Sequence, residues 1–317
     1  MSGRHLIVLG TSSQAPTRHR QHNSFALRWD DLLILFDPGE GTQRQCILAG
    51  VAIARLNAVC ITHFHGDHSL GLPGVIQRRA LDNRTSGRPP TPLPIFYPRE
   101  GQIYFDRLRH ATVFYDTSQL EPHPIEGEGK VAALNPTASL SSRALDHRIS
   151  TFGFRIDEDD SVRLNRAALD HFGIKGREVG RLLADGKIET ETGTVGLDQV
   201  SEVRLGQSFA FVMDTRLCDA AIELADGVDL MVCESTFLDQ DRELAHRFRH
   251  LTALQAGILA RDAGARRLVL AHFSARYPSN QAFADEASSV HGDVVAGEEL
   301  MVIPVPPRHR NQPGTRL

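Results

Sequence analysis

The sequence predicts an α/β protein whose strands deliver polar side chains to one edge of a sheet. Short apolar runs typical of buried strands alternate along the chain with segments typical of helices. Five of the apolar runs end within two residues of a histidine or an acidic residue: Ile61 before His63, Leu145 before His147, Met213 before Asp214, Cys233 before Glu234 and Ala271 before His272. Because active sites gather at one end of the strands in sheets flanked by helices, we expect these polar side chains to lie close together.

The elements are assigned in order from apolar periodicity and turn residues. Strands are predicted over 4–10, 24–28, 32–36, 58–61, 93–97, 131–134, 140–145, 151–156, 208–213, 229–233, 267–271 and 300–304, where apolar residues run in short blocks. Helices are predicted over 42–48, 102–109, 251–261 and 280–290, and another follows residue 69. The turn Asp37-Pro38-Gly39-Glu40-Gly41 separates the third strand from the first helix, and the Pro-rich segment 84–92 is a surface connection.

Residues 157–199 differ from the rest because they are polar, punctuated by glycine and without long apolar runs. Two helical patterns, 164–172 and 177–183, fall inside this segment. We interpret it as an arm inserted into a single domain over 1–317. Its cationic residues would suit phosphate contact: Lys175, Arg177, Arg181 and Lys187. The alternative is an ordinary helical insert packed on the core.

Composition indicates an ordinary soluble globular protein, with 41% hydrophobic and 23% charged residues. The net charge of −4 does not by itself indicate nucleic-acid binding. Only three residues are Lys, however, and an acidic protein can still present an arginine-rich face to phosphate. The apolar run 6–9 is too short for a signal peptide or a membrane span. Four scattered cysteines without a Cys-x-x-Cys pair favour a reducing, cytoplasmic compartment.

Residues 63–68 read His-Phe-His-Gly-Asp-His, which places four metal-capable side chains on a short loop after a strand: His63, His65, Asp67 and His68. Imidazole and carboxylate are ligands that zinc prefers. A His-rich surface loop that binds nothing is the alternative, and the position between a strand and a helix argues against it. The spacing resembles the metal-binding motif of the metallo-β-lactamase superfamily. That resemblance implies a four-layer αβ/βα sandwich, and it implies that Asp37 braces the metal loop.

Seven candidate ligands exceed the needs of one four-coordinate ion and suit two. We assign His63, His65 and His147 to one ion, and Asp67, His68 and His272 to the other, with Asp214 between them. Two Zn²⁺ ions are expected, with Mn²⁺ as the alternative, and such a pair supports displacement at phosphorus or at a carbonyl. Asp67 can also accept a proton from the attacking water. The ligands alone do not distinguish phosphodiesters from lactams, thioesters or sulfate esters.

Beyond the metal motif, the chain resembles the ribonuclease Z family of tRNA 3′-processing endonucleases. Four stretches carry the resemblance: 36–43, the loop 16–23, the pair 234–237 with 250–252, and the closing motif 272–277. Arg18 stands where the family usually has Lys, Cys233 where it usually has His, and Arg177 where the arm usually has Pro.

The resemblance implies a function and a set of roles. A phosphodiester of precursor tRNA would be cut after the discriminator nucleotide, leaving a 3′-hydroxyl on the tRNA and a 5′-phosphate on the trailer. His250, oriented by Glu234, would protonate the departing 3′ oxygen. The implied substrate-binding residues are Arg18, Arg20, Asn23, Ser274, Lys175 and Arg177. The family also implies a homodimer.

Two rival functions remain from the sequence. Another binuclear hydrolase of this fold, such as a small-molecule phosphodiesterase or an arylsulfatase, would share the metal ligands. The arginines at 18 and 20 and the 157–199 segment argue against it. A catalytically inactive RNA-binding protein would be expected to lose ligands, whereas the set here is complete.

Overall fold

The computed structural model describes residues 3–87, 89–191 and 193–308. The described chain divides into two compact units. The larger unit runs to Asp157 and resumes over Ser208–Pro307, and the smaller unit comprises Glu158–Gln207.

The strands of the described chain are, in order, β1 (Arg4–Gly10), β2 (Ser24–Trp29), β3 (Leu32–Phe36), β4 (Ala58–Cys60), β5 (Leu93–Pro98), β6 (Leu120–Ile125), β7 (Gly129–Asn135), β8 (Ala138–Ala144), β9 (Phe152–Glu158), β10 (Ser161–Leu164), β11 (Lys187–Thr190), β12 (Gly193–Gly196), β13 (Ser201–Arg204), β14 (Ser208–Val212), β15 (Leu230–Glu234), β16 (Leu268–Ala271), β17 (Val294–Ala296) and β18 (Val302–Pro304). The α-helices are α1 (Thr42–Leu48), α2 (Gly66–Ser69), α3 (Leu72–Thr85), α4 (Gln102–Arg109), α5 (Arg166–His171), α6 (Arg177–Asp185), α7 (Asp219–Leu224), α8 (Arg242–Phe248), α9 (Ala253–Asp262) and α10 (Gln281–Ser288).

Two seven-stranded sheets build the larger unit, in the orders β18-β1-β2-β3-β4-β5-β6 and β17-β16-β15-β14-β9-β8-β7. Side chains alternate between the two faces of each strand. In β1, Leu6 and Val8 join the core shared by the sheets, whereas Ile7 and Leu9 join a core under helices α1, α3 and α4. A third apolar cluster lies between the second sheet and helices α7, α9 and α10. The layers are therefore helix, sheet, sheet and helix, which confirms the α/β sandwich predicted from the sequence.

The core between the sheets is rich in aromatic side chains. Phe36 at the end of β3 lies 6.2 Å from Phe154, 5.5 Å from Phe209 and 4.8 Å from Phe211, measured between ring centroids. Such packing fixes the end of β3 against β9 and β14 of the other sheet. The strand ends that carry the polar side chains are thus held at one rim.

The sequence missed several elements, which are β6, β17, α7, α8 and the strands of the smaller unit. Strand β6 escaped because Pro122 and Pro124 interrupt its pattern. It is the outermost strand of its sheet, where proline is tolerated. The predicted helix over 164–172 begins two residues later, because Leu164 pairs with Ser201 in a two-stranded ladder.

The smaller unit has an apolar cluster of its own. Two ladders, β10 with β13 and β11 with β12, accompany helices α5 and α6. Its six buried members are Leu169, Ile174, Leu182, Ile188, Val195 and Val200. These residues occur singly along the segment, so no apolar run in the sequence predicts the cluster.

None of the described helices combines the length and the apolar content that a bilayer-spanning helix needs. All four cysteines are free thiols, and Cys46, Cys60 and Cys233 are buried. Burial raises the pKa of the Cys46 thiol to about 12, so it remains protonated.

Candidate metal centre and proton-transfer site

The predicted ligands follow the carboxyl ends of strands in both sheets. In the first sheet, β4 leads into a short loop that carries His63 and His65, whereas Asp67 and His68 lie in the one-turn helix α2 and not on the predicted loop. In the second sheet, His147 follows β8, Asp214 follows β14 and His272 follows β16. Strands β14, β15 and β16 are parallel, which places their carboxyl ends side by side. The structure therefore brings together residues that are far apart in the sequence.

One group of donor atoms comes from His63, His65, His147 and Asp214, and these atoms all lie within 4.8 Å of one another. His63 Nε2 lies 2.9 Å from His65 Nδ1. Asp214 Oδ2 lies 3.4 Å from His63 Nε2 and 3.6 Å from His147 Nε2. These four side chains surround one point.

A second group comes from Asp67, His68 and His272, again with donor atoms within 4.8 Å. The Nε2 atoms of His68 and His272 are 3.2 Å apart, and His272 Nε2 lies 3.3 Å from Asp67 Oδ2. Asp214 Oδ1 lies 3.3 Å from the Nε2 atoms of both histidines. Asp214 therefore turns one oxygen to each group, which is the geometry expected of a shared ligand.

The outer nitrogen of each of four histidines is held by another residue, which fixes the direction of the inner nitrogen. Asp37 Oδ2 accepts from His68 Nδ1 at 2.8 Å, the bracing contact that the sequence predicted. Asp37 also accepts from the hydroxyl of Thr62, and that hydroxyl lies 3.0 Å from His63 Nδ1. For His147 the partner is the carbonyl of Arg249 at 3.1 Å.

The hydroxyl of Thr236 plays the same part in the second sheet. It donates to Glu234 Oε2 at 2.6 Å and accepts from His272 Nδ1 at 2.8 Å. Because a hydroxyl that donates to a carboxylate can only accept from its other partner, His272 carries its proton on Nδ1. Its Nε2 lone pair then faces the cluster.

The donor set fits a divalent cation. His147 Nε2 and Asp214 Oδ1 are buried without a hydrogen-bond partner, although buried polar atoms are almost always paired. Both atoms point into the cluster, where a cation would pair them. Imidazole nitrogens and carboxylate oxygens are the ligands of borderline-soft divalent metals. The chemistry of the cluster is therefore that of a divalent-metal site.

At His63, His65, His147 and Asp214 the electrostatics favour the protonation states that metal binding requires. At His68 the carboxylates of Asp214, Asp67 and Asp37 instead raise the pKa against the effect of burial, so a cation would have to displace its proton. Burial, together with neighbouring His68, lowers the pKa of His63 to about 3, and burial lowers the pKa of His65 and His147 as well. Against the effect of burial, the surrounding histidines lower the pKa of Asp214, so it is ionised. Neutral imidazole and ionised carboxylate are the ligand forms.

Glu234 and His250 form an ion pair beside the second group. Glu234 is fully buried, and its Oε1 accepts from His250 Nδ1 at 2.9 Å. Burial alone would lower the pKa of His250, but the carboxylates of Glu234 and Asp214 raise it to about 9. Donor atoms of His250, Asp214 and His272 also lie within 4.8 Å of one another. His250 is therefore a protonated imidazole at neutral pH.

His250 also borders a surface cavity of about 250 Å³, so it is reachable from solvent. The other residues that line this cavity are Asp146, Arg216, Leu217, His246 and Gln255. A group bound against this wall would meet the imidazole directly.

The predicted substrate-binding residues of the larger unit differ in exposure. Arg18 is exposed and Ser274 is half-buried. Arg20 is buried, and its guanidinium donates to the carbonyl oxygens of Ser274 at 3.4 Å and Tyr277 at 2.9 Å. The structure therefore favours a structural role for Arg20, which ties its loop to the closing motif. Asn23 is fully buried, so its side chain presents no surface to a substrate, contrary to expectation.

Lys175 and Arg177 belong to the smaller unit, and both are exposed. Gly176 between them has a φ of +55°, which suits a turn ahead of helix α6. The two cations thus lie on either side of Gly176, where helix α6 begins.

Four functional candidates escaped the sequence analysis. Thr62 and Thr236 orient histidines through their hydroxyls, and Arg249 contacts His147. The backbone N–H of Gln14 donates to Asp67 Oδ2 at 2.6 Å, from a residue with a φ of +62°. Thr62 lies next to a predicted motif and Thr236 lies inside one, so both could have been singled out on that basis. Nothing local marks Gln14 or Arg249.

The fold and the His/Asp cluster define a protein of the metallo-β-lactamase class. The family model described as Metallo-beta-lactamase superfamily matches residues 17–122. Ribonuclease Z from Streptomyces avermitilis is 51% identical over 98% of this chain and 100% of its own length. Ribonuclease Z from Thermobifida fusca is 49% identical over 99% of both chains. The protein belongs to the ribonuclease Z family.

A solved structure agrees with this fold. Human tRNase Z, short form (ELAC1), superposes with a TM-score of 0.65, covering 95% of this chain and 99% of that chain at 23% identity. The likeness therefore extends through almost all of both chains. The family resemblance drawn from the motifs is confirmed.

Proposed function

We propose that this protein is a metal-dependent endoribonuclease that removes the 3′ trailer from precursor tRNA. The products would be a tRNA with a 3′-hydroxyl and a trailer with a 5′-phosphate. The observation that carries the proposal is the convergence of six metal-capable side chains around Asp214, beside the protonated His250. Family membership over almost the full length selects RNA among the possible esters.

The residues that would hold the metal are those of the two groups. His63, His65 and His147 would bind one ion, Asp67, His68 and His272 the other, and Asp214 both. Two Zn²⁺ ions suit this nitrogen-rich set, and Mn²⁺ would be the substitute. When bound, the ions would supply an acidified water and neutralise charge on the scissile phosphate.

The protein side chains would move the protons. Asp67 Oδ2 lies 3.3 Å from His272 Nε2 and accepts from the N–H of Gln14, and we assign Asp67 the acceptance of a proton from the attacking water. His250 would donate a proton to the departing 3′ oxygen of the tRNA. Glu234 keeps His250 charged and directs its Nδ1 inward, which leaves Nε2 for the substrate.

Recognition of the tRNA would use cations outside the metal centre. Arg18 is exposed on the loop 16–23, and Lys175 and Arg177 are exposed on the 158–207 unit. We assign the latter unit the role of a tRNA-gripping arm, with Ser274 as a polar contact near the metal ligands. Phosphate contacts of this kind give affinity without reading sequence. A homodimer in the cytoplasm is part of the proposal, and the four free thiols suit a reducing compartment.

The experiment that tests the function is cleavage of a labelled precursor tRNA by purified protein with Zn²⁺ or Mn²⁺, with the cut mapped to the nucleotide. A single cut after the discriminator supports the proposal. Turnover of a small chromogenic phosphodiester without cleavage of the tRNA would identify a small-ester hydrolase instead. Metal analysis of the same preparation tests the two-ion assignment.

A further inference from the structure

Arg249 stands between helix α8 and His250, in a conformation that arginine rarely adopts. Its φ and ψ are +60° and +52°, in the left-handed region. Glycine and asparagine end helices in this conformation with less strain. An arginine in this conformation suggests that contacts of its guanidinium offset the strain.

The backbone of Arg249 holds the ring of His147. The carbonyl oxygen of Arg249 lies 3.1 Å from His147 Nδ1 and can only accept, so His147 carries its proton on Nδ1. The other nitrogen, Nε2, is buried without a hydrogen-bond partner and lies 3.6 Å from Asp214 Oδ2. The left-handed turn at residue 249 is what aims this carbonyl at the ring.

The side chain of Arg249 holds the backbone of the same histidine. Its Nη1 donates to the carbonyl oxygen of His147 at 2.7 Å and to Asp146 Oδ1 at 3.2 Å. Asp146 also pairs with Arg216, which keeps the carboxylate in place. One residue thus grips His147 at its ring and at its main chain.

We propose that Arg249 is a positioning residue that sets the tautomer and direction of His147 and joins this ligand to the neighbouring proton donor, His250. The proposal rests on the proposed metal-dependent function. The ring centroids of His147 and His250 lie 5.2 Å apart. Because residues 249 and 250 are consecutive, a shift of Arg249 also moves His250. Arg249 therefore positions the ligand His147 and the proton donor His250 together.

Two substitutions separate the contributions of the backbone and the side chain. Arg249→Gly keeps the left-handed turn and removes the guanidinium. Arg249→Ala removes the guanidinium and also disfavours the turn, so the carbonyl contact weakens too. Arg249→Lys restores a cation without the planar fork. Arg247→Ala is the matched control, because Arg247 is exposed nearby and its guanidinium stacks on Phe248.

The measurement is a Zn²⁺ competition titration of metal-free protein, with thermal denaturation of each variant and the absorption spectrum of its Co²⁺ form. Loss of an outer partner of a metal-binding histidine typically weakens affinity 10- to 100-fold. Arg249→Gly loses the guanidinium contacts but keeps the carbonyl contact to the ring, so we expect it to weaken binding of the ion that His147 would hold by about tenfold, the lower end of that range. We expect Arg249→Ala to weaken it further, Arg249→Lys to recover part of the loss, and Arg247→Ala to match wild type. The Co²⁺ spectrum should change in the same order.

A mere helix-ending role predicts the opposite, namely that Arg249→Gly is as stable as wild type or more so and binds metal unchanged. Wild-type affinity in both Arg249→Gly and Arg249→Ala overturns the proposal. If Arg249→Gly or Arg249→Ala fails to fold, the remaining variant and Arg249→Lys are compared with wild type in the same Zn²⁺ titration, and wild-type affinity in both overturns the proposal. Cleavage of precursor tRNA by wild type is scored separately, so a failure of the proposed function is distinguishable from a failure at Arg249.

Discussion

Replacing Glu234 by glutamine should move the alkaline limit of activity to lower pH. Glu234 lies fully buried with Oε1 2.9 Å from His250 Nδ1, and it is the foremost group raising the pKa of His250 against the effect of burial. The substitution keeps the shape of the side chain and removes its charge. His250 should then lose its proton at a lower pH.

The magnitude follows from the pKa of His250, which is raised from 6.5 to about 9. Such a rise corresponds to about 3 kcal/mol in favour of the protonated ring. A contact of this length at the effective dielectric of a protein can supply that energy. Removing most of it should bring the pKa of His250 down by about 2 units.

The sign is set by the role of His250 as an acid. A raised pKa keeps the imidazole protonated below about pH 9, so cleavage should persist up to that pH and fall above it. In Glu234→Gln the fall should begin near neutral pH. Cleavage at pH 8 should drop by about tenfold, while the rates at pH 6 converge.

The assay is single-turnover cleavage of precursor tRNA from pH 5.5 to about 10, at saturating metal. His250→Ala is the comparison, because it should be slow at every pH and lack this limb altogether. Glu234 also accepts from the backbone N–H groups of Thr215 and Leu251, so thermal denaturation must show that the glutamine variant is folded. A folded Glu234→Gln protein with the wild-type pH profile would refute the reasoning.

Three further outcomes follow from the contacts. Asp214→Asn should lower the bound metal from two equivalents to one or none, measured by elemental analysis, because Asp214 faces both groups; full retention would contradict a shared ligand. Arg18→Ala should raise KM for precursor tRNA and reduce its salt dependence without changing Tm, whereas Arg20→Ala should destabilise the fold by about 1.5–3 kcal/mol in urea unfolding; equal behaviour of the pair would contradict their different exposure. Phe36→Ala should cost about 3–5 kcal/mol in the same measurement, because three aromatic rings surround it; a loss below 1 kcal/mol would contradict that packing.

The sequence was informative where the signal is local. Apolar runs predicted the buried strands, and the residues that follow them predicted which side chains would meet. His147 and Asp214 are separated by many residues, yet each could be selected because it follows a strand. Because the ends of neighbouring strands lie at one edge of the sheet, these side chains could be predicted to meet without any knowledge of contacts.

Arg20 and Asn23 show where local reasoning fails. An arginine on a polar loop looks exposed, but Arg20 turns inward because the carbonyl oxygens of Ser274 and Tyr277 accept from it. Those acceptors come from the far end of the chain, and no pattern around residue 20 indicates them. Asn23 is buried as well, and its backbone carbonyl accepts from the N–H of Gly39. At Gly39 a side chain would collide with the carbonyl of Asp67, so three segments pack backbone to backbone there.

Backbone conformation was also beyond the sequence, and it decides how the site works. Asp37, Asp214 and His272 all have positive φ, although none is a glycine. Each lies one or two residues after the end of a core strand. Strain of this kind persists only where the surroundings enforce it, and it clusters at functional sites. The consequence is that each side chain leaves the strand direction and turns into the rim. The sequence therefore predicts which residues meet, whereas which nitrogen of each histidine faces the metal depends on hydroxyls and carbonyls such as Thr236 and Arg249 that only the folded chain brings into place.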